Sequence, residues 1–321
     1  MTPHLSNHFL HRLKDFSMPL AILAGIIFWK YLWIFRSVIP YLIAGMLFFT
    51  FLKLSPKGIR FKKVHQVLAF IQLFLGGISY LTISNMASGE IGQISAQGML
   101  ICFICPAATA SAVVIAMLGG NLKVGATYVL ISNTGIAFIV PLIFSWIYPG
   151  QNIDFWQSVM LIFKHVAPLV FGPLAAAWFL RFIAFETHEK LAKIPQIAFW
   201  LWVLSLMIIL ANTVKFIIDK HCPIEDILLL SAIGLFTCIV QFAIGKYIGR
   251  KSKEADEITI GQSLGQKNTT LAIWMAQTYL NPLSSIAPAS YVIWQNCFNS
   301  YQLYRHSKEE EKKEVPLQGV K

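Results

Sequence analysis

The chain alternates long apolar runs with short polar breaks. The runs fall at about 17–35, 38–54, 65–84, 94–118, 122–148, 155–182, 196–218, 225–248, 257–279 and 283–304. Most are about 20 residues long, the length a helix needs to cross the hydrocarbon core of a bilayer. They show no strict alternation of apolar and polar positions, which argues against a β-barrel. The pattern predicts an all-α membrane protein of ten transmembrane helices. The loops are too short to separate two domains. Residues 1–16 and 305–321 read as polar tails around a single transmembrane unit, 17–304. In the second tail, Lys308-Glu309-Glu310-Glu311-Lys312-Lys313-Glu314 suits a solvated end.

Two of the runs are interrupted. The fourth carries Cys105-Pro106-Ala107-Ala108-Thr109-Ala110-Ser111, and the ninth carries Gly265-Gln266-Lys267-Asn268-Thr269. Fourth and ninth are equivalent places if the chain is two repeats of five helices. Five is odd, so the second repeat is inverted in the membrane. Discontinuous helices at matching positions of two halves point to a transporter's binding site. The N-termini of half-helices offer free N–H groups and positive dipole ends, suited to an anion.

Composition supports the membrane reading. Hydrophobic residues make up 56% and charged residues 13%, against about 25% charged in a soluble domain. The mean hydropathy is +0.62. A net charge of +11 invites a nucleic-acid partner, but the positions of the charges exclude that reading. With the N-terminus in the cytoplasm, 20 of the 26 Lys and Arg residues fall in inside segments and 4 (Lys30, Arg36, Lys215, Lys220) outside. That asymmetry places both termini in the cytoplasm of a cell carrying the chain in its inner membrane. The five cysteines show no metal-binding spacing, and four lie in apolar runs as inert thiols. The polar start of the chain is not followed by a cleavage site, so no cleavable signal peptide is expected.

Lys267 is the most expensive residue in this pattern. A lysine at the centre of a membrane helix costs roughly 2.5–3.5 kcal/mol on insertion scales. It lies about ten residues, roughly 15 Å at helical rise, from the nearer end of its run, too far to snorkel easily. It therefore either pairs with the carbonyls of the broken helix or serves substrate or coupling. Ser263 stands one turn earlier, on the same face if the helix is intact. Pro106 either kinks a helix whose freed carbonyls meet nearby hydroxyls, or unwinds it and presents Thr109 and Ser111. Lys164 and His165, ahead of Pro168, suit snorkelling. Gln72 and the run Trp294-Gln295-Asn296 fit interhelical hydrogen bonds or ligand contacts equally. Asn133 and Asn212 read as packing residues.

No catalytic constellation is apparent, so no enzyme is expected. His4, His8 and His11 lie in the tail with Asp15, and the chain has neither HExxH nor a phosphate loop. Asp154, Glu225 and Glu257 sit at the edges of runs, which argues against a proton relay built on a central carboxylate.

The ten runs, the Cys105–Ser111 break, Gln266-Lys267-Asn268-Thr269-Thr270-Leu271-Ala272 and Trp294-Gln295-Asn296 together resemble the bile acid:sodium symporter family. The resemblance covers nearly the whole chain. It implies panel helices 1, 2, 6 and 7, and core helices 3, 4, 5, 8, 9 and 10, with helices 4 and 9 crossing at their unwound centres. It implies organic anions as substrates, from bile acids to small carboxylates such as pantoate. Thr109, Asn268, Thr269 and Gln295 would line the substrate site.

The departures from the family pattern concern its sodium sites. The family's Glu-x-x-x-Gln-Asn falls on Ser263, Lys267 and Asn268. Its Thr-Ala-Ser-Asn falls on Thr109, Ala110, Ser111 and Ala112. A hydroxyl pair of helix 5 falls on Gly125 and Val129, and Gln72 stands where a sodium-site glutamine is expected. An ammonium among sodium ligands is repulsive, so Lys267 would replace the ion. Lysine is also titratable and offers proton linkage.

The leading expectation is a secondary carrier of a small organic anion, independent of sodium, working by alternating access. One alternative keeps sodium through a site rebuilt from Ser263, Ser111 and Gln72. Another is a non-transporting binding or sensory membrane protein. No cofactor is expected, sodium is in question, and the partners are the anion and the lipid bilayer.

Overall fold

The computed structural model describes residues 20–54, 59–87, 89–108, 110–147 and 154–314. Residues 20–27 are helical. Then come α1 (Trp29–Leu32), a 3-10 turn (Trp33–Val38), α2 (Ile39–Phe51), α3 (Lys63–Met86), α4 (Glu90–Ile104) and α5 (Ala110–Met117). They are followed by α6 (Leu122–Ile147), α7 (Phe155–Ile183), α8 (Phe185–Ala192), α9 (Pro195–Asp219) and α10 (Ile224–Lys251). The chain continues through α11 (Glu257–Gly265), α12 (Thr269–Tyr279), a 3-10 turn (Pro282–Ser285) and α13 (Ile286–Glu314).

Among the described residues, six helical stretches are long and apolar enough to cross a membrane. They are Trp29–Phe51, Lys63–Met86, Leu122–Ile147, Phe155–Ile183, Ile197–Asp219 and Ile224–Lys251. The fourth and ninth apolar runs are absent from this set because each is broken into two short helices; the tenth is absent as well, and the single stretch Trp29–Phe51 covers most of the second run and the end of the first. The first break follows from Pro106, which cannot donate a hydrogen bond and biases Cys105 to an extended backbone (φ −53°, ψ 138°). The second begins at Gln266, also extended (φ −93°, ψ 106°), after Gly265.

Three boundaries differ from the sequence pattern. The loop expected near residue 37 is instead the 3-10 turn, and Pro40 sits in the first turn of α2, where a missing N–H costs nothing. A short helix, α8, occupies the expected loop after α7. The last helix runs ten residues past the expected end, to Glu314, supported by the exposed Arg305–Glu309 pair one turn apart.

The chain divides into two compact units, residues 1–56, 137–224 and 273–285, and residues 57–136, 225–272 and 286–321. In the first, α9 packs along α1 and α2, and α2 packs against α7. Asn212, expected as a packing residue, donates to Gln277 Oε1 at 2.7 Å there. In the second unit, α3 lies along α4, α13 packs on α4, and α11 packs on α5. Its core gathers Val64, Leu68, Ala107, Val124, Tyr128, Val129, Ile260 and Leu264. Large apolar side chains such as Phe70, Phe74, Leu228 and Phe236 are exposed. Polar ones such as Gln72, Gln241, Gln262, Lys267 and Gln295 are buried. That inversion is what a lipid-facing exterior requires.

The α10–α11 contact is made backbone to backbone. A Cβ on Gly245 would lie 2.9 Å from Gly261 Cα, and one on Gly249 would lie 2.4 Å from Glu257 Cα. By contrast, a Cβ on Gly77 of α3 meets nothing within 4 Å. Gly249→Ala is therefore expected to destabilise the protein by about 1–3 kcal/mol through overpacking. Gly77→Ala should be neutral or stabilising, because it improves helix propensity without a clash. Thermal unfolding of the two variants in one detergent checks this, and equal melting temperatures would contradict it.

Candidate functional site

The two breaks meet in the second unit. Ala107 and Lys267 face each other in an isolated antiparallel bridge. Its two hydrogen bonds run from Ala108 N to Gln266 O and from Asn268 N to Pro106 O, both 2.8 Å. Pro106 lacks an N–H and needs only its carbonyl here, so the residue that breaks the helix also fits the bridge.

Every remaining backbone group of the bridge finds a partner. Ala107 N donates to Ser132 Oγ at 3.1 Å, and Ala107 O accepts from Asn133 Nδ2 at 3.1 Å. Lys267 N donates to Gln295 Oε1 at 3.0 Å, and Lys267 O accepts from Thr269 N at 2.9 Å. Gly265 O accepts from the Tyr291 hydroxyl at 2.6 Å. Asn133, expected only to pack, holds the bridge, because an extended segment inside hydrocarbon has no helix to satisfy its backbone.

The C-terminal end of α4 is the negative pole of a half-helix, and its orphan carbonyls are capped one by one. Cys102 O accepts from Gln241 Nε2 at 3.2 Å. Phe103 O accepts from the Lys267 ammonium at 3.1 Å. Ile104 O and Cys105 O both accept from Gln72 Nε2, at 2.6 and 3.0 Å. Because both of those carbonyls can only accept, the Gln72 amide must point its NH₂ toward the helix end. Its Oε1 turns away and accepts from the Tyr128 hydroxyl at 2.8 Å. The Lys267 side chain is 1% exposed. Among the described residues the ion pairs involve other cations, so the Lys267 charge is opposed by carbonyl dipoles rather than by a carboxylate.

Asn268 is the N-cap of α12. Its Oδ1 accepts from Leu271 N at 3.3 Å, while its buried Nδ2 has no protein partner among the described residues. Its carbonyl accepts from Cys105 Sγ at 3.0 Å. Thr269 is the first residue of α12 and buried.

The structure thus brings Lys267, Gln72, Asn268 and Gln295 to one place. Ser111 is buried at the start of α5 and donates locally to Ala108 O at 2.6 Å. Among the described residues, the buried Ser263 Oγ has no protein partner, and it does not bond Lys267. A Cβ on Gly125 would lie 3.8 Å from that hydroxyl, so the α6 position expected to face the site does face Ser263. Thr109 lies outside the described residues. Tyr128, Ser132, Gln241 and Tyr291 escaped the sequence reading. Each is a polar residue within an apolar run, and that is the signal that flags intramembrane function.

A sequence model of the SBF-like CPA transporter family matches residues 19–297. The chain belongs to this family. The SBF-like CPA transporter family is bile acid:sodium symporter-like, in line with the resemblance read from the two breaks. The match takes in both breaks, Gln72 and Gln295, so the whole bridge and its caps lie within the region that defines the family. Family membership and the apolar helices together make this a membrane protein of a transporter family. A comparison with curated proteins finds no match.

Removing the Gln72 amide leaves two buried carbonyls and a buried hydroxyl unpaired. Gln72→Leu is expected to destabilise by about 1–3 kcal/mol for each group left unsatisfied. Tyr128→Phe removes one of those bonds together with its donor, and should cost about 1 kcal/mol. Unfolding midpoints of both variants in detergent test the order, which would be wrong if the Tyr128 variant were the less stable.

Proposed function

We propose that this SBF-like CPA transporter is a secondary carrier of a small organic anion. It works by alternating access without sodium, and the Lys267 ammonium takes the place of a driving cation. The observation that carries the reading is the Lys267 Nζ bond to Phe103 O at the C-terminal end of α4. A cation is stabilised there by the dipole and by the free carbonyls. Sodium would need several oxygens at the same place. Gln72 turns its NH₂ to that helix end, and the Ser111 hydroxyl donates to Ala108 O. These orientations disfavour a sodium site rebuilt from Ser263, Ser111 and Gln72.

The anion's carboxylate is assigned to the N-terminal end of α12. Asn268 Nδ2 is buried there without a protein partner among the described residues, and Thr269 and Gln295 flank it. Thr109 completes the set by its place in the sequence. The ten runs form two inverted repeats of five, with panel and core groups as the resemblance implies. The charge asymmetry supports an inner-membrane location with both termini cytoplasmic.

A thermal-shift screen of monocarboxylates and bile acids, in sodium and in choline buffers, tests this reading. A ligand present at 100 times its Kd stabilises the folded state by about 2.7 kcal/mol. The expected outcome is a hit whose shift is the same in sodium and choline. In proteoliposomes, Lys267→Gln should abolish or strongly reduce uptake of that hit. Ligand binding that requires sodium, or full uptake by Lys267→Gln, refutes the assignment.

A further inference from the structure

One face of α13 carries a stripe of polar residues, and apart from Gln295 the carrier reading does not use it. Tyr291, Gln295, Asn299 and Gln302 recur at helical spacing, so they share one face. Each is tied to α11 or to the break that follows it. Tyr291 donates to Gly265 O and Gln295 accepts from Lys267 N. Asn299 Oδ1 and Gln302 Oε1 both accept from Gln262 Nε2, each at 3.0 Å.

The outer part of this seam is incompletely satisfied by protein. Gln262 is 1% exposed, yet its Oε1 has no protein partner among the described residues. The same holds for the buried Nε2 of Gln302 and for Oε1 of Gln266, which is 4% exposed. A buried polar atom left bare costs about 1–3 kcal/mol. Two such atoms on the seam, and a third at the break that ends α11, are the setting in which ordered water is retained, since a water needs two to four polar partners.

The opposite side of α11 is built differently. Gly245 and Gly249 of α10 press directly on Gly261 and Glu257, leaving no room even for a methyl group. The Leu264 side of α11 packs into the apolar core with Val64, Leu68 and Val124. The α13 face carries the run of amides that leads from the end of α13 to the break. Its open end is charged, with exposed Arg305, the exposed Arg250–Glu257 pair, and Lys246 packed over Gly261.

We propose that the α11–α13 seam is a hydrated lane that brings water, and with it protons, from the charged end of α13 to the break carrying Lys267. Its ligand is water, held by the amides of Gln262, Asn299 and Gln302. The proton role rests on the carrier reading of Lys267, whereas the hydration does not. The amide ladder excludes large solutes because its members bond one another, yet it leaves lone pairs and N–H groups for a file of waters.

Cysteine reactivity tests the lane, because a thiol reacts as the thiolate and so needs water beside it. Asn299→Cys and, as the dry control, Leu264→Cys are made in the full chain with Cys222 and Cys297 replaced by alanine. The parent measures the buried native thiols. The expected result with aminoethyl methanethiosulfonate is that Asn299→Cys reacts at least about tenfold faster than Leu264→Cys. Adding Gln302→Leu, an apolar plug at the outer end, should remove most of that difference. If Asn299→Cys fails to fold, Gln262→Cys is read in its place. Equal rates at the lane and control positions overturn the lane, and they leave the Lys267→Gln uptake result standing by itself. A reactive lane in a protein whose Lys267→Gln variant transports fully keeps the lane and removes the carrier reading of Lys267.

Discussion

The constraint on which this structure depends is that two extended backbone segments lie inside an apolar bundle, where water does not satisfy their polar groups. Residues 105–108 and 265–268 answer it by pairing with each other. What the pairing leaves bare, side chains from α3, α6, α10 and α13 cap. Gln72 serves two carbonyls, Asn133 one, Gln241 one, and Ser132 and Gln295 each accept from a bridge N–H. The second unit is therefore held together at its centre by hydrogen bonds, with the hydrophobic cluster around Tyr128 alongside. In lipid, where apolar packing has no aqueous competitor to exclude, such polar ties carry more of the specificity of helix association.

Lys267 follows from the same constraint. Helix α4 ends in mid-bundle with its carbonyls pointing at a place that needs positive charge or several donors. An ammonium satisfies the Phe103 carbonyl and the dipole together. Gln72, by presenting NH₂ rather than oxygen, fits the same electrostatic demand. With Gln241 on the Cys102 carbonyl, the three capping residues form a consistent set: donors gather where a bound metal cation would have required acceptors.

Much of this was legible in the pattern of the chain. Pro106 announced the first break, and the cluster of Gly265, Gln266, Lys267 and Asn268 announced the second, because neither set of residues sustains an apolar helix. Gln72 stands out as a lone amide in an apolar run, and Gln295 stands out beside Asn296. Asn133, between Ser132 and Thr134, reads as a packing residue, since sequence does not say whether an amide faces a helix neighbour or an exposed carbonyl. Tyr128 and Tyr291 gave less signal still. Tyrosine is at home in apolar surroundings, and only its hydroxyl's partner reveals its task.

The sequence by itself determined the helical class, the membrane setting, the positions of the two breaks and the unusual charge at one of them. Each of these depends on the local arithmetic of hydropathy, proline, glycine and lysine. The tertiary structure alone decided which way Lys267 points, that Ala107 is its partner in the bridge, that the Ser263 hydroxyl finds no partner among the described residues, and that the Gln72 amide shows its NH₂ to the end of α4. Those facts join residues as much as 195 positions apart (Gln72 and Lys267 converge on one helix end). The physical reason is that hydrogen-bond partners of a broken helix are chosen by packing across the bundle, and no local rule of sequence encodes that choice.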